Sequence, residues 1–318
     1  MNPNHVLILD TWSGAKPAYA DAFDHVETRR VDMGFAIGEN GHPHGAQVAW
    51  CWLSQIPRER KKIVAYGQIF DERMHAVGLD KVEGWVDYAE RERPDCINLS
   101  VGAHANNERE RAFLEKAMAP LSEVLFHLAD LGIQIFIAAG NSDTYSGSGR
   151  RRRFDLDDDV NWPARSTWHH NNIHVIGACD GAGTPAWFSS DAFLGEERLE
   201  PIVLGMYFGH MVQIPHPETY RPEFASGTSF ASPFAAGDYC ARDFGSGQDY
   251  VADFIARADR WPAWVARHGL FVAHPKAGFG SGLRFMRENA EQATEVYGAP
   301  RDVVTPMWME FERVGGGE

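Results

Sequence analysis

Residues 133–141 read IQIFIAAGN, a nearly unbroken run of apolar side chains that ends in a glycine and an asparagine. A β-strand with one wet face alternates apolar and polar residues, whereas a strand covered on both faces reads as a continuous apolar run. Strands of this kind in alternation with helices predict an α/β fold of three layers, with a mostly parallel β-sheet between helices on both faces. The further runs of this kind occur at 5–10, 62–69, 96–101, 173–178 and 202–206.

The segments between these runs have the periodicity of helices. In a sheet of parallel strands, ligands bind beyond the carboxyl ends of the strands. By that rule the candidate site residues are Asp10, 100–102 and 140–141, because each of these lies at or just beyond the end of a predicted strand. The predicted helices lie at 44–56, 77–92 and 110–131.

The composition excludes several classes of function. The chain has 318 residues, enough to bury a large core without disulfide or metal staples. Its 44 acidic residues outnumber the 30 basic ones, and a surface of net charge −14 repels the phosphates of nucleic acid. No apolar run approaches the about 18 residues that a membrane helix needs. We therefore expect neither nucleic acid nor a membrane among the partners.

The cysteines and the first residues indicate the compartment. Four cysteines lie far apart and form no Cys-x-x-Cys pair, which favours free thiols in a reducing compartment. The apolar run directly before Asp10 has only four residues, which is too short for a secretory signal. With Met1 as the native start, we expect the protein to be cytoplasmic.

Four residues of catalytic type occur in the order Asp10, His44, Asn141 and Ser229. A serine hydroxyl needs an adjacent base to become a nucleophile, and a histidine can take its proton. A buried carboxylate can fix the imidazole tautomer, and an amide can donate to a developing oxyanion. Taken singly, each residue also has a structural interpretation as a turn residue, a helix cap or a core histidine. Four of them in this order favour the catalytic interpretation, because Asp, then His, then Ser is the chain order of subtilisin.

Several short motifs strengthen that interpretation. They are GTSFASP at 227–233, HGAQVA at 44–49, INLSVG at 97–102 and AAGN at 138–141. On these motifs the chain resembles the subtilisin-like serine proteases (subtilases, peptidase family S8), and the resemblance runs from about Val6 to Met286. The resemblance implies a subtilisin-like catalytic domain over 1–288, followed by a C-terminal extension over 289–318.

The resemblance also implies roles for individual residues. Asp10, His44 and Ser229 would form the catalytic triad of a serine endopeptidase, with Asn141 in the oxyanion hole. The substrate would be a polypeptide in extended conformation that pairs with the strand at 100–103. This chemistry requires no cofactor. The residues implied to bind substrate are Ser100, Val101, Gly102, Ala138, Ala139, Gly140 and Asn161.

The sequence departs from the family pattern at three positions near the triad. Trp12 stands where the family has glycine, Ala46 replaces a threonine, and Phe230 replaces a methionine. These changes leave open a catalytically silent protein of the same fold that binds a peptide or protein partner in the same cleft. An esterase of the α/β-hydrolase kind is disfavoured, because that fold needs its Asp and His after the serine and too little chain follows Ser229.

A polar loop at 142–160 and the short N-terminus bear on stability and control. The loop is interpreted as a solvated segment, as a structural calcium site or, at its four arginines, as a cleavage site. Nine residues before Asp10 leave no room for the prosegment of extracellular relatives, so we expect unaided folding or restraint by an inhibitor or regulatory partner. The Trp162–Pro163 bond is expected to be cis, as at a similar family position. The calcium candidates are Asp155, Asp157, Asp158 and Asp159.

Overall fold

The structure is a computed structural model of the protein. It describes residues 4–10, 23–31, 44–69, 82–100, 102, 108–141, 162–167, 170–179, 186, 188–189, 205–209, 212–215, 222–242, 244 and 249. The proposed boundary at residue 288, the aspartates of the 142–160 loop, Val101 and Asn161 lie outside these ranges and stay predictions.

The central layer is a seven-stranded sheet in which every neighbouring pair is parallel. Its strands are β1 (Asn4–Asp10), β2 (Val26–Arg30), β3 (Lys62–Gln68), β4 (Cys96–Leu99), β5 (Gln134–Ala138), β6 (Ile173–Cys179) and β7 (Gly205–Phe208). They lie in the order β2-β3-β1-β4-β5-β6-β7. Two further strands, β8 (Val212–Pro215) and β9 (Pro222–Ala225), form a separate antiparallel pair. The predicted parallel sheet is thus confirmed.

Helices cover both faces of this sheet. They are α1 (His44–Leu53), α2 (Val82–Glu92), α3 (Glu108–Asp130), the short α4 (Ala164–Thr167) and α5 (Thr228–Arg242). Side chains of β1 alternate between two buried clusters, because successive strand residues point to opposite faces. Val6 and Ile8 pack with α1 and α5, whereas Leu7 and Leu9 pack with α2 and α3. The expected three layers are confirmed.

The structure also corrects some predicted boundaries. The last apolar run was expected at 202–206, but the described strand β7 reaches Phe208. Strand β2 was not predicted, because its sequence VETRR lacks an apolar run; it lies at the edge of the sheet and is half-exposed. The Trp162–Pro163 peptide bond is cis, as expected. Over the described ranges, no helix combines the length and the apolarity that a membrane span requires.

Helix α5 crosses one face of the sheet from its carboxyl edge to its amino edge. At its start, Ser229 contacts Ser100, which directly follows β4. Near its end, the Cys240 carbonyl accepts a hydrogen bond from Asn4 in β1 (2.9 Å), and Cys240 Sγ lies 3.4 Å from Cys96 Sγ. The sulfurs of Cys96 and Cys240 are free thiols. This course brings the beginning of α5 to the same sheet edge as Asp10, where the predicted site lies.

Candidate active site

A hydrogen-bonded pair of Asp10 and His44 lies at the carboxyl edge of the sheet. Asp10 is the last residue of β1 and has a fully buried side chain, and His44 is the first residue of α1. Nδ1 of His44 lies 2.9 Å from Oδ1 and 3.0 Å from Oδ2 of Asp10. A carboxylate can only accept, so Nδ1 carries the proton and donates it to this contact. In the neutral imidazole, Nε2 therefore holds the lone pair that a general base uses.

The surroundings of His44 adjust its basicity. Burial lowers the pKa of His44, because it disfavours the charged imidazolium, while the charge of Asp10 and its hydrogen bond raise it. The contribution of Asp10 prevails, and the pKa of His44 lies above its ordinary value of 6.5. The aromatic ring of Phe230 lies against the imidazole, with ring centres 5.8 Å apart. Phe230, one of the departures from the family pattern, thus forms a wall of the histidine site.

Ser229 reaches the same edge on the first turn of α5. Its hydroxyl donates a hydrogen bond to the carbonyl of Ser100 (3.0 Å), and the Ser100 hydroxyl donates to the carbonyl of Ser229 (2.8 Å). Two reciprocal bonds therefore join the beginning of the helix to the residue that follows β4. At a helix N-terminus, the helix dipole and the unpaired backbone N–H groups favour negative charge.

Asn141 is held beside this turn by its side-chain oxygen. Oδ1 accepts hydrogen bonds from the backbone N–H (2.9 Å) and the hydroxyl (3.1 Å) of Thr228. The Thr228 hydroxyl accepts in turn from the N–H of Gly140 (3.2 Å), whose φ of +112° suits glycine and few other residues. Since Oδ1 is engaged on Thr228, the amide Nδ2 is the group that Asn141 presents as a donor.

Three residues that support the site were given no role from the sequence. Thr228 anchors Asn141, and Ser189 pairs with Asn141 in an isolated antiparallel bridge. Gly209 accepts a hydrogen bond from the N–H of Gly227, and a Cβ at position 209 would come within 2.8 Å of the Gly227 carbonyl oxygen. Thr228 lies inside a recognised motif, but Gly209 stands in a segment with no pattern, so only the folded structure reveals its contact.

The predicted substrate residues differ in how they are placed. Ser100 is buried at the end of β4, whereas Gly102 is exposed. The side chain of Ala139 packs into the α2–α3 core, so this residue has only its backbone to offer a substrate. Over the described ranges, no cluster of three His, Cys, Asp or Glu side chains could hold a metal ion.

The chain is similar in sequence to one protein family and in fold to several solved structures. The model of the subtilase family (Peptidase_S8) matches residues 62–239. A lanthipeptide protease matches at a TM-score of 0.58 and 17% identity, over 81% of this chain and 80% of its own. A mutant of the protease domain of PatA matches at 0.56 and 16% identity (89% and 95%), and a cold-adapted subtilisin-like serine proteinase matches at 0.52 and 16% identity (80% and 82%). No curated protein is significantly similar to the chain.

Proposed function

The chain belongs to the subtilase family of serine proteases, and from that premise we propose that it hydrolyses peptide bonds with Asp10, His44 and Ser229 as its catalytic triad. The observation that carries this proposal is the hydrogen bond from His44 Nδ1 to the buried carboxylate of Asp10. It leaves Nε2 as the base, at the sheet edge where the first turn of α5 carries Ser229.

The first step transfers a proton from Ser229 to His44. In the resting arrangement the Ser229 hydroxyl donates to the Ser100 carbonyl, so it first turns about its Cα–Cβ bond towards Nε2. Oγ then bonds to the carbonyl carbon of the substrate, and its proton passes to Nε2. Asp10 stabilises the imidazolium that forms. Nε2 returns the proton to the leaving amine as the C–N bond breaks, and a water molecule repeats the sequence on the acyl-enzyme.

The carbonyl oxygen of the substrate becomes negative during this attack. We assign its stabilisation to Nδ2 of Asn141 and to the backbone N–H of Ser229. The Ser229 N–H is among the first four of α5, which have no acceptor within the helix. Donors that are fixed before the reaction stabilise the oxyanion without the cost of reorganising solvent. The engagement of Asn141 Oδ1 by Thr228 supplies that fixed orientation.

The substrate in this proposal is an extended polypeptide that pairs with the backbone of residues 100–103. Backbone hydrogen bonds would hold it in this mode, which favours loops and unfolded segments over folded helices. The hydrolysis itself uses only side chains and backbone amides of this chain. Structural calcium, a cytoplasmic location and restraint by an inhibitor or regulatory partner are further parts of the proposal.

One observation favours a second candidate, a catalytically silent protein that binds peptides in the same cleft. The Ser229 hydroxyl donates its single proton in a hydrogen bond to the Ser100 carbonyl. If that bond persists when a peptide is bound, the hydroxyl is not activated by His44. The two candidates differ in whether Ser229 reacts.

Labelling with a fluorophosphonate probe, followed by peptide mapping, separates them. We expect the wild type to be labelled at Ser229 and to cleave a peptide library. Ser229→Ala should lose the label and about 10⁶-fold in kcat, a magnitude measured on subtilisin. Ser54→Ala is the matched control, because Ser54 follows the far end of α1 and should keep both activities. A folded wild type with neither label nor cleavage would favour the binding protein, and a label elsewhere would exclude Ser229 as nucleophile.

A further inference from the structure

Helix α5 contains a proline that affects the backbone of the nucleophile. In an α-helix, the N–H of residue i+4 donates to the carbonyl of residue i. Four residues after Ser229 stands Pro233, which has no N–H. The carbonyl of Ser229 therefore lacks the i+4 donor that an α-helix normally supplies. A backbone carbonyl that loses its helical donor needs another hydrogen-bond partner, so a replacement donor is expected nearby.

The side chain of Ser100 supplies that donor. Its hydroxyl lies 2.8 Å from the Ser229 carbonyl oxygen, and it is buried at the end of β4. A hydroxyl has a single proton, so once Ser100 donates to Ser229 it can only accept from other groups. The backbone carbonyl that Pro233 leaves without its i+4 donor is thereby tied to the strand at which the substrate is proposed to bind.

Asn98 holds the Ser100 hydroxyl in this orientation. Its Nδ2 donates to Ser100 Oγ (2.7 Å), and its Oδ1 accepts from the Ser232 hydroxyl (2.8 Å). Asn98 and Ser232 are completely buried. Asn98 and Ser100 each accept one hydrogen bond and donate one. All the protons therefore point the same way, from Ser232 through Asn98 and Ser100 to the Ser229 carbonyl. Only a side chain with an acceptor on one arm and a donor on the other can continue this chain at position 98.

We propose that Asn98 is a positioning residue for the nucleophile, a role that rests on the proposed function. It acts through Ser100 and holds the backbone of Ser229 at a fixed distance from the substrate strand. The reacting oxygen and the scissile carbonyl are therefore located by one hydrogen-bond chain. A displacement of about 1 Å between reacting groups can cost 10²-fold in rate, which sets the scale of the effect.

The test is Asn98→Asp, which keeps the shape of the side chain and removes its N–H donor. An ionised carboxylate accepts from both serines, so the Ser100 proton turns to it and leaves the Ser229 carbonyl without a donor. We expect kcat at pH 8 to fall about 10- to 100-fold with KM nearly unchanged. Burial raises the pKa of a carboxyl group. At lower pH the protonated carboxyl regains an O–H donor, and the deficit in kcat relative to wild type should shrink.

Two matched variants separate positioning from general destabilisation. Gln134→Glu makes the same change of amide to carboxylate at another buried site of the sheet, where Gln134 contacts His174 and Asn172. It should lower stability and leave kcat unchanged. Ser232→Thr keeps the hydroxyl that begins the chain and should keep kcat, whereas Ser232→Ala should lower it. If Asn98→Asp does not fold, the comparison of these two Ser232 variants carries the test.

These experiments distinguish failure of the Asn98 proposal from failure of the proposed function. A wild type that is neither labelled nor active removes the function, and the hydrogen-bond chain is then tested by crystal structures of wild type and Asn98→Asp. There we expect the contact from Ser100 Oγ to the Ser229 carbonyl to be lost in the variant, and its persistence would overturn the proposal. If the wild type is active, an unchanged kcat in Asn98→Asp would also overturn the proposal. The proposal would also be overturned if kcat fell in Gln134→Glu as much as in Asn98→Asp and independently of pH.

Discussion

Strand β1 carries His5 at its amino end and Asp10, the partner of His44, at its carboxyl end. Two buried histidines at the amino edge of the sheet, His5 and His174, have neutral partners. Nε2 of His5 is hydrogen-bonded to the Tyr88 hydroxyl, and Nε2 of His174 donates to Gln134 Oε1, each at 2.9 Å. At the carboxyl edge, His44 faces a carboxylate instead.

The pKa values of the three histidines follow their partners. Burial, reinforced by the charge of Arg29, lowers the pKa of His5 to about 4. Burial and the neighbouring His170 lower the pKa of His174 to about 3. Burial acts on His44 in the same direction, but the carboxylate of Asp10 overcomes it. Burial without a charged partner therefore keeps a histidine uncharged, whereas a buried carboxylate beside it gives a base suited to catalysis.

The largest expected effect comes from giving His44 a neutral hydrogen-bond partner, like those of His5 and His174 at the amino edge. Asp10→Asn replaces the carboxylate with a neutral partner, and the corresponding change in another Ser-His-Asp protease lowers kcat about 10⁴-fold. The pKa of His44 should fall below 6.5, because burial then acts alone. The base works only when neutral, so the acidic limb of kcat/KM should move to lower pH. Rates measured between pH 5 and 9 check this, and an unmoved limb contradicts it.

The second largest effect is expected at the proposed oxyanion hole, which also lies at the carboxyl edge of the sheet. Asn141→Ala removes the Nδ2 donor and should lower kcat about 10²- to 10³-fold, a magnitude measured on subtilisin. KM should change little, because the interaction forms only as charge develops. Steady-state kinetics on one peptide checks both values, with Ser54→Ala as control. Undiminished kcat in Asn141→Ala would remove this residue from the oxyanion hole.

The smallest expected effect lies at the amino edge and concerns stability. Between about pH 3 and 6.5, the unfolded chain holds a proton on His174 that the folded protein does not hold. The free energy of unfolding should therefore fall with falling pH in this window, by about 1.4 kcal/mol per pH unit for this group. His44 has the opposite sign: its contribution is present below pH 6.5 and is lost as pH rises through its raised pKa.

Urea unfolding of wild type and His174→Gln at pH 7 and pH 5 measures this difference. The variant cannot titrate at position 174, so its free energy of unfolding should depend less steeply on pH. Its kcat at pH 8 should equal that of wild type, because the amino edge takes no part in the chemistry. An equal pH dependence in the two proteins would show that His174 is not held neutral by the fold.

The sequence predicts the parallel sheet because buried strands carry unbroken apolar runs, as IQIFIAA does before Gly140. It does not predict β2, because the charged side chains of VETRR are those of a half-exposed edge strand. Ala139 stays a predicted substrate residue, but the sequence does not show that its side chain packs into the α2–α3 core and leaves only its backbone for a peptide. Side-chain direction depends on the register of the strand, which a motif alone does not give.

The residue types of the site could be predicted, but the contacts that orient them could not. Asp10 and Ser229 stand out because Asp10 ends a strand and Ser229 lies in the first turn of a helix, both at the edge where parallel strands end. The hydrogen bonds from Ser100 to Ser229 and from Ser232 to Asn98 join residues that are 129 and 134 positions apart in the chain. No local pattern reports such a contact. Pro233 gives a signal in retrospect, because a proline four residues after Ser229 removes the i+4 donor of the Ser229 carbonyl.

The most direct test is an NMR titration of His5, His44 and His174 in the Ser229→Ala protein, which cannot digest itself. We predict that His44 titrates above pH 6.5, that it titrates below 6.5 once Asp10→Asn is added, and that His5 and His174 stay neutral down to about pH 5. A His44 that titrates at or below 6.5 with Asp10 intact, or at the same pH without it, would contradict the account.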